Sequence, residues 1–180
     1  MLRILSGSDF LAQAPDPTWD FSDLSRLHRA VDEKCQNQEA LGGVVCRKGC
    51  HHCCRRIPTV LPVEFAFLVL GGDPIPPSSS GLESLLHPGE LLCDRLAADG
   101  SCGIYPSRPL ICRTHGFLHL SEEGLDHCPW NFQELEEVDE DLPFRLENLH
   151  ETLLRVNLDF LRRSYPTRWK DLAEVRIRFQ

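Results

Sequence analysis

Four cysteines fall within nine residues, Cys46-x3-Cys50-x2-Cys53-Cys54, and nothing else in the chain so narrows what it can fold around. Spacings of two and three let neighbouring side chains reach one ion, because a tight turn or one helical turn brings them to the same side. Gly49, beside Cys50, is predicted to take a positive φ where the chain reverses. The adjacent pair is expected to diverge, since consecutive side chains point apart in helix and strand alike. One of Cys53 and Cys54 is then expected to serve a second metal or the far half of a larger cluster.

A second, wider group follows: Cys93-x8-Cys102-x9-Cys112-x15-Cys128. Nine cysteines in 180 residues thus divide into two fours, with Cys35 left over as a small hydrophobe on a helical stripe. Metal binding is favoured over a disulfide framework because the N-terminus, MLRILSGSDFLAQAPD, has too short an apolar stretch for a secretory leader. The triplet Ala12-Gln13-Ala14 imitates a cleavage site, but Pro15 follows it and no apolar core precedes it. A cytoplasmic location, where thiols stay reduced, is the expectation. No apolar run approaches the ~18 residues of a membrane helix, so no membrane partner is expected. Lys plus Arg total 19 against 27 for Asp plus Glu, a net charge of −8, which disfavours nucleic acid.

Outside the cysteines the pattern is helical. Phe21, Leu24, Leu27, Val31 and Cys35 recur at threes and fours and predict a helix over 20–40, capped by Asp20 or Ser22 and stopped at Gly42-Gly43. A short apolar helix is predicted over 63–70 after Pro62, then a loop over 71–81. From Phe144 to Leu161, apolar residues suit a long helix over 143–165 closed by Pro166. An acidic run, Glu134 to Asp141, leads into that helix, and the segment after 141 is net basic. Strand signals are nearly absent. The expected fold is mostly α: one small domain over 1–180, with an irregular metal-organised core at 46–130 and a C-terminal helix at 143–165.

The order CRKGCHHCC (46–54), Glu64, CDRLAADGSCGIYPSRPLICR (93–113) and CPW (128–130) resembles the YkgJ-type cysteine-cluster proteins, zinc- or iron-chelating domains with a CxxCxxCC motif. The likeness spans under half the chain and includes C-x-I-Y-x-x-R-P-x-x-C-R. It implies a bacterial metal-binding domain whose ligands are Cys46, Cys50, Cys53, Cys54, Cys93, Cys102, Cys112 and Cys128. One branch with a similar cysteine motif, the flagellin lysine methylase, is associated with a 4Fe–4S cluster. This chain is far shorter than that enzyme, so its activity is not carried over. It also has Asp94-Arg95 where the family has proline and an apolar residue after the cysteine.

Thiolate-only ligation suits zinc and iron–sulfur alike. An iron–sulfur cluster is favoured, chiefly on the methylase likeness, with zinc as the alternative. Arg47, Lys48, Arg55 and Arg56 flank the first group, either neutralising thiolates or offering a docking patch. His51, His52 and His115 are expected beside the metal or in solvent, His115 being best placed to ligate. Arg108 and Arg113 are expected either to donate N–H groups to sulfur or to form a salt bridge, for instance to Glu64. No Ser-His-Asp set, phosphate loop or dinucleotide glycine pattern is present, so any chemistry belongs at the metal.

Three functional readings follow: an iron–sulfur protein with a redox or accessory role, a zinc-stabilised interaction module, and a metal-dependent modifying enzyme. A protein partner would meet the acidic run at 134–141 or the basic C-terminal segment. Neither cysteine group is complete alone, so both are expected to form one spatial region, joined at little entropic cost across the loop.

Overall fold

A computed structural model of the chain describes residues 3–13, 19–47, 49–55, 58–71, 92–97, 99–135 and 137–178. The loop predicted over 71–81 lies, beyond its first residue, outside the described residues.

Two long helices carry the core. The first predicted helix is present as α2 (Ser22–Glu39), after a short strand β1 (Arg3–Leu5) and a single-turn helix α1 (Gly7–Leu11). The N-cap is Phe21, without a side-chain cap bond, and not Asp20 or Ser22 as expected; the Asp20 carboxylate accepts from the Ser22 amide at 2.9 Å just before it. The inward stripe is Leu24, His28, Val31, Cys35 and Gln38, spaced as a helix face requires. After the helix, Gly42 and Gly43 both stand at φ +81°, the left-handed turn that a side chain would resist. Gln38 is wholly buried, and it binds this helix to the far half of the chain. Its Oε1 accepts from the Leu118 amide at 2.7 Å and its Nε2 donates to the Leu142 carbonyl at 3.0 Å.

A short strand β2 (Thr59–Val60) precedes α3 (Pro62–Ala66), which continues as a π-helical turn over Phe67–Gly71. Pro62 opens α3 at a position where a missing N–H costs nothing. Glu64, four-hundredths exposed, reaches back to the Leu61 amide at 3.2 Å. Its other oxygen takes the Leu110 amide at 2.7 Å and so holds the start of α4 (Leu110–Thr114). Strands β3 (His119–Ser121), β4 (Gly124–Asp126) and β5 (Phe144–Arg145) come next, then the long helix α5 (Leu146–Ser164). A turn of helix α6 (Trp169–Ala173) and strand β6 (Val175–Arg178) end the described chain.

The helix predicted over 143–165 is α5, and it buries Leu153, Asn157, Phe160, Leu161 and Ser164. Asn157 accepts from the Val63 amide at 3.1 Å, filling one of the open donors at the start of α3. Phe10, Trp19, Phe21, Phe160 and Tyr165 stack or meet edge-on at centroid distances of 5.3–6.5 Å. Each such ring contributes about 1.5–3 kcal/mol by leaving water. One cluster of buried side chains runs from Phe10 to Ile177.

Of the described residues 47% are helical and 13% are strand. The strands correct the expectation that sheet would be nearly absent. β6 lies between β1, parallel to it, and β2, antiparallel, while β3 lies between antiparallel β4 and parallel β5. None exceeds four residues, too few for a period of two to show in sequence. Among the described residues no helix is long and apolar enough to cross a membrane.

Candidate metal centre

All nine cysteines are free thiols. The first cluster is shaped by two turns. The Cys50 amide donates to the Arg47 carbonyl at 2.9 Å, with Gly49 at φ +91° as its spacing predicted. A 3₁₀ turn, His52–Arg55, then carries Cys53 and Cys54, and the Cys54 amide donates to the His51 carbonyl at 2.9 Å. Here the structure departs from expectation. The adjacent sulfurs do not diverge but stand 4.0 Å apart, at the closeness of a weak S–H···S bond. The contact draws Cys53 down to about 6 and pushes Cys54 up.

The second group folds back onto the first. The Cys93 amide donates to the Cys54 carbonyl at 2.8 Å, a direct backbone link between the two cysteine segments. From there a tight loop returns, closed by an antiparallel bridge between Leu96 and Cys102 and by the Gly103 amide on the Arg95 carbonyl at 2.7 Å. The tip of this loop touches the first cluster at glycine. A Cβ on Gly100 would lie 3.2 Å from the Gly49 carbonyl oxygen. Asp94 and Arg95 form a turn, and the Arg95 amide hydrogen-bonds the Cys93 sulfur. Cys112 rides on α4, whose first amide is held by Glu64.

Cys128 arrives by a third route. Its Cβ and the Cys46 sulfur lie 3.4 and 3.6 Å from the point where Gly116 would carry a side chain, and the Asn131 Nδ2 lies closer, at 3.2 Å. Gly116 is at φ +94°. Above it sits Asn131, fully buried and unforeseen from the sequence. Its Nδ2 donates to the Gly116 carbonyl at 2.8 Å and to the Cys46 sulfur at 3.4 Å, and its Oδ1 accepts from the Val45 amide at 3.1 Å. Its place three residues after Cys128 was the only local sign of it.

Burial raises the thiols at Cys46, Cys93, Cys102 and Cys112, the last to about 12, because a thiolate loses solvation there. N–H groups work against this: the Arg95 amide at Cys93, the Ile104 amide at Cys102 and the Asn131 side chain at Cys46. The donors expected from Arg108 and Arg113 are therefore found mostly on the backbone. Arg113 is buried and pairs with Asp32, its Nη1 donating to both carboxylate oxygens at 2.8 Å, not with Glu64. It also donates to the Arg108 carbonyl at 2.9 Å and to the Pro106 carbonyl. Arg108 lies over the Tyr105 ring at 3.6 Å and donates to the Tyr105 and Cys112 carbonyls. Its positive charge nonetheless favours thiolate at Cys53, Cys102 and Cys112. Lys48 and Arg56 of the basic run lie outside the described residues.

The histidines stand beside the thiols. His51 shares a hydrogen bond with the Gly49 carbonyl at 3.1 Å and stacks on His52, which in turn meets Trp130 at 5.6 Å. His115 is exposed at the end of α4, close enough for its charge to stabilise the Cys53 thiolate. Cys35 sits apart, buried on α2 with its thiol 3.7 Å from the Arg113 carbonyl. Eight thiols are therefore gathered in one region, but among the described residues no three His, Cys, Asp or Glu side chains converge closely enough to hold one ion. An all-sulfur donor set is of the soft kind that zinc or an iron–sulfur cluster would take. No family model, curated protein or solved structure matches the chain.

Proposed function

We propose that this is a cysteine-ligated metal protein whose centre is an iron–sulfur cluster with a redox or accessory role. The ligands are Cys46, Cys50, Cys53, Cys54, Cys93, Cys102, Cys112 and Cys128, held by a mostly α single domain. The observation that carries the reading is the Cys93 amide on the Cys54 carbonyl at 2.8 Å, which joins two segments rich in free thiols that lie far apart in the chain. The N–H groups aimed at Cys46, Cys93 and Cys102 support it, because hydrogen bonds to sulfur tune the potential of such clusters. A bound cluster would supply one-electron chemistry; the protein's part is to hold it and shield the buried thiols. The resemblance to YkgJ-type proteins points the same way.

Zinc is the rival metal, in an interaction module that meets a partner through Glu134–Asp141. The exposed carboxylates of Glu134, Glu137, Asp139, Glu140 and Asp141 support that surface. Colour separates the two at once, since d10 zinc absorbs no visible light. Protein purified anaerobically is expected to be brown and to contain iron with acid-labile sulfide. A colourless sample with about two zinc per chain, four thiolates to each, would transfer the assignment to zinc.

A further inference from the structure

A cavity of about 270 Å³ lies where β2, α3, α4, α5 and β6 meet. Most of its wall is apolar: Leu61, Leu110, Leu149 and Leu153 line it, and Ile111 and Leu146 line it from exposed positions. Two side chains of opposite charge also line it. Glu64, from α3, is buried, and Arg176, from β6, is half-buried. Each charge is felt by the other, yet the two do not close on one another. Among the described residues Arg176 forms no ion pair, and its one hydrogen bond runs from Nη1 to the Val175 carbonyl at 3.1 Å. The remaining polar groups are less suited to hold a ligand. Thr114 spends its hydroxyl on the Leu110 carbonyl at 3.2 Å, and Thr59 and His150 are exposed.

Glu64 is held in place by the Leu61 and Leu110 amides, one on each oxygen. A carboxylate offers about four acceptor sites, so each oxygen keeps one open. Burial opposes its charge, and these amides, with the charges of Arg176 and Arg113, offset that only in part. A positively charged donor entering the cavity would recover what burial removes. Arg176 is the converse: with one N–H engaged, the rest of its planar fork is free to meet a carboxylate. We propose that the cavity binds a small apolar α-amino acid, with its ammonium on Glu64, its carboxylate on Arg176 and its side chain among Leu110, Leu149 and Leu153. A fatty acid would answer Arg176 and be repelled by Glu64, and a simple amine would do the reverse. Only a zwitterion satisfies both. The cavity falls just below the ~300–1,000 Å³ of sites for drug-sized ligands, which suits an occupant of amino-acid size. The assignment stands apart from the metal reading, since no cysteine lines this cavity.

The probe is L-leucine, titrated calorimetrically into the full chain as purified, with one site per chain expected. 4-Methylpentanoate, which lacks the ammonium, and isopentylamine, which lacks the carboxylate, should each bind about 10- to 100-fold more weakly, the range of one charge-assisted hydrogen bond. Arg176→Gln should weaken L-leucine to the same degree while isopentylamine binds no more weakly than before, a split that a purely structural role would not produce. Leu146→Trp, changed at an exposed position on the wall, should block the site and leave the circular dichroism spectrum of the wild type. Absence of binding by L-leucine, L-methionine and L-phenylalanine at millimolar concentration overturns the site. Equal affinity for L-leucine and either analogue overturns the zwitterion, and undiminished binding to both variants overturns the location.

Discussion

Gly100 stands against Gly49 so closely that a single added carbon on Gly100 would lie 3.2 Å from the Gly49 carbonyl oxygen and 3.4 Å from its Cα. Both residues are at positive φ, so the two cysteine segments meet through paired turns that only glycine enters freely. This contact, with the Cys54–Cys93 backbone bond beside it, turns two incomplete sets of thiols into one region.

Gly100→Ala should therefore destabilise the fold twice over. The left-handed conformation at φ +77° costs about 1–2 kcal/mol for a residue with a side chain. The contact with Gly49 adds to that. Gly42→Ala pays only the first cost, since nothing lies within 4 Å of its Cβ at φ +81°. Denaturant titration of both variants should rank Gly100→Ala as the more damaging; equal losses would mean that the glycine contact carries no strain.

Cys35 is set off from the other eight by its place, buried on α2 with its thiol 3.7 Å from the Arg113 carbonyl. Burial pushes its thiol up to about 12, so it stays protonated across the physiological range. Iodoacetamide at pH 8 should leave it unmodified in the folded protein, and Cys35→Ser should keep the full metal content. Cys112→Ser should instead lower the unfolding midpoint sharply. A structural thiolate site can contribute ~10–16 kcal/mol against a net domain stability of ~5–15 kcal/mol. Equal loss of metal from the two variants would remove the distinction.

His28 makes the fold sensitive to acid. Buried on α2 against Phe67, it is held down to about 4 by loss of solvation and by the nearby Arg113 charge. The folded protein thus binds fewer protons at His28 than the unfolded chain, whose imidazole titrates near 6.5. The stability that neutral His28 contributes is complete above pH 6.5 and is lost as the pH falls from there toward 4. The full loss is about 3 kcal/mol. His28→Gln should flatten the stability profile over this window, as read from denaturation midpoints at successive pH values. A variant with the wild-type slope would place the sensitivity elsewhere.

Asn131→Leu keeps the branching of the side chain and removes three hydrogen bonds. The Val45 amide and the Gly116 carbonyl lose their partner in the interior, at about 1–3 kcal/mol each. The Cys46 sulfur loses an N–H donor. A drop of about 2–6 kcal/mol in unfolding free energy is expected from these losses. If the centre is iron–sulfur, its reduction potential should also fall, as hydrogen bonds to sulfur stabilise the reduced state. An unchanged potential would show that Asn131 only supports the backbone.

The sequence by itself determined that eight thiols fall in two groups, one of them four thiols within nine residues. It also determined what depends on neighbours a few residues apart, namely the inward stripe of α2, the span of α5, the turn at Gly49 and the buried role of Cys35. Tertiary structure decided the rest. Which thiol neighbours which depends on how three separate stretches close on one another. Cys128 thus lies by Cys46 and Cys93 by Cys54, against their order in the chain. Arg113 meets Asp32 across 81 residues, and Glu64 spends its two oxygens on the Leu61 and Leu110 amides instead of on an arginine. Strands of two to four residues are likewise decided by their partners, being too short to carry a pattern of their own. Local periodicity records which face of a segment is buried. The partner of a buried polar group, or of a thiol, follows only from the closure of the whole chain.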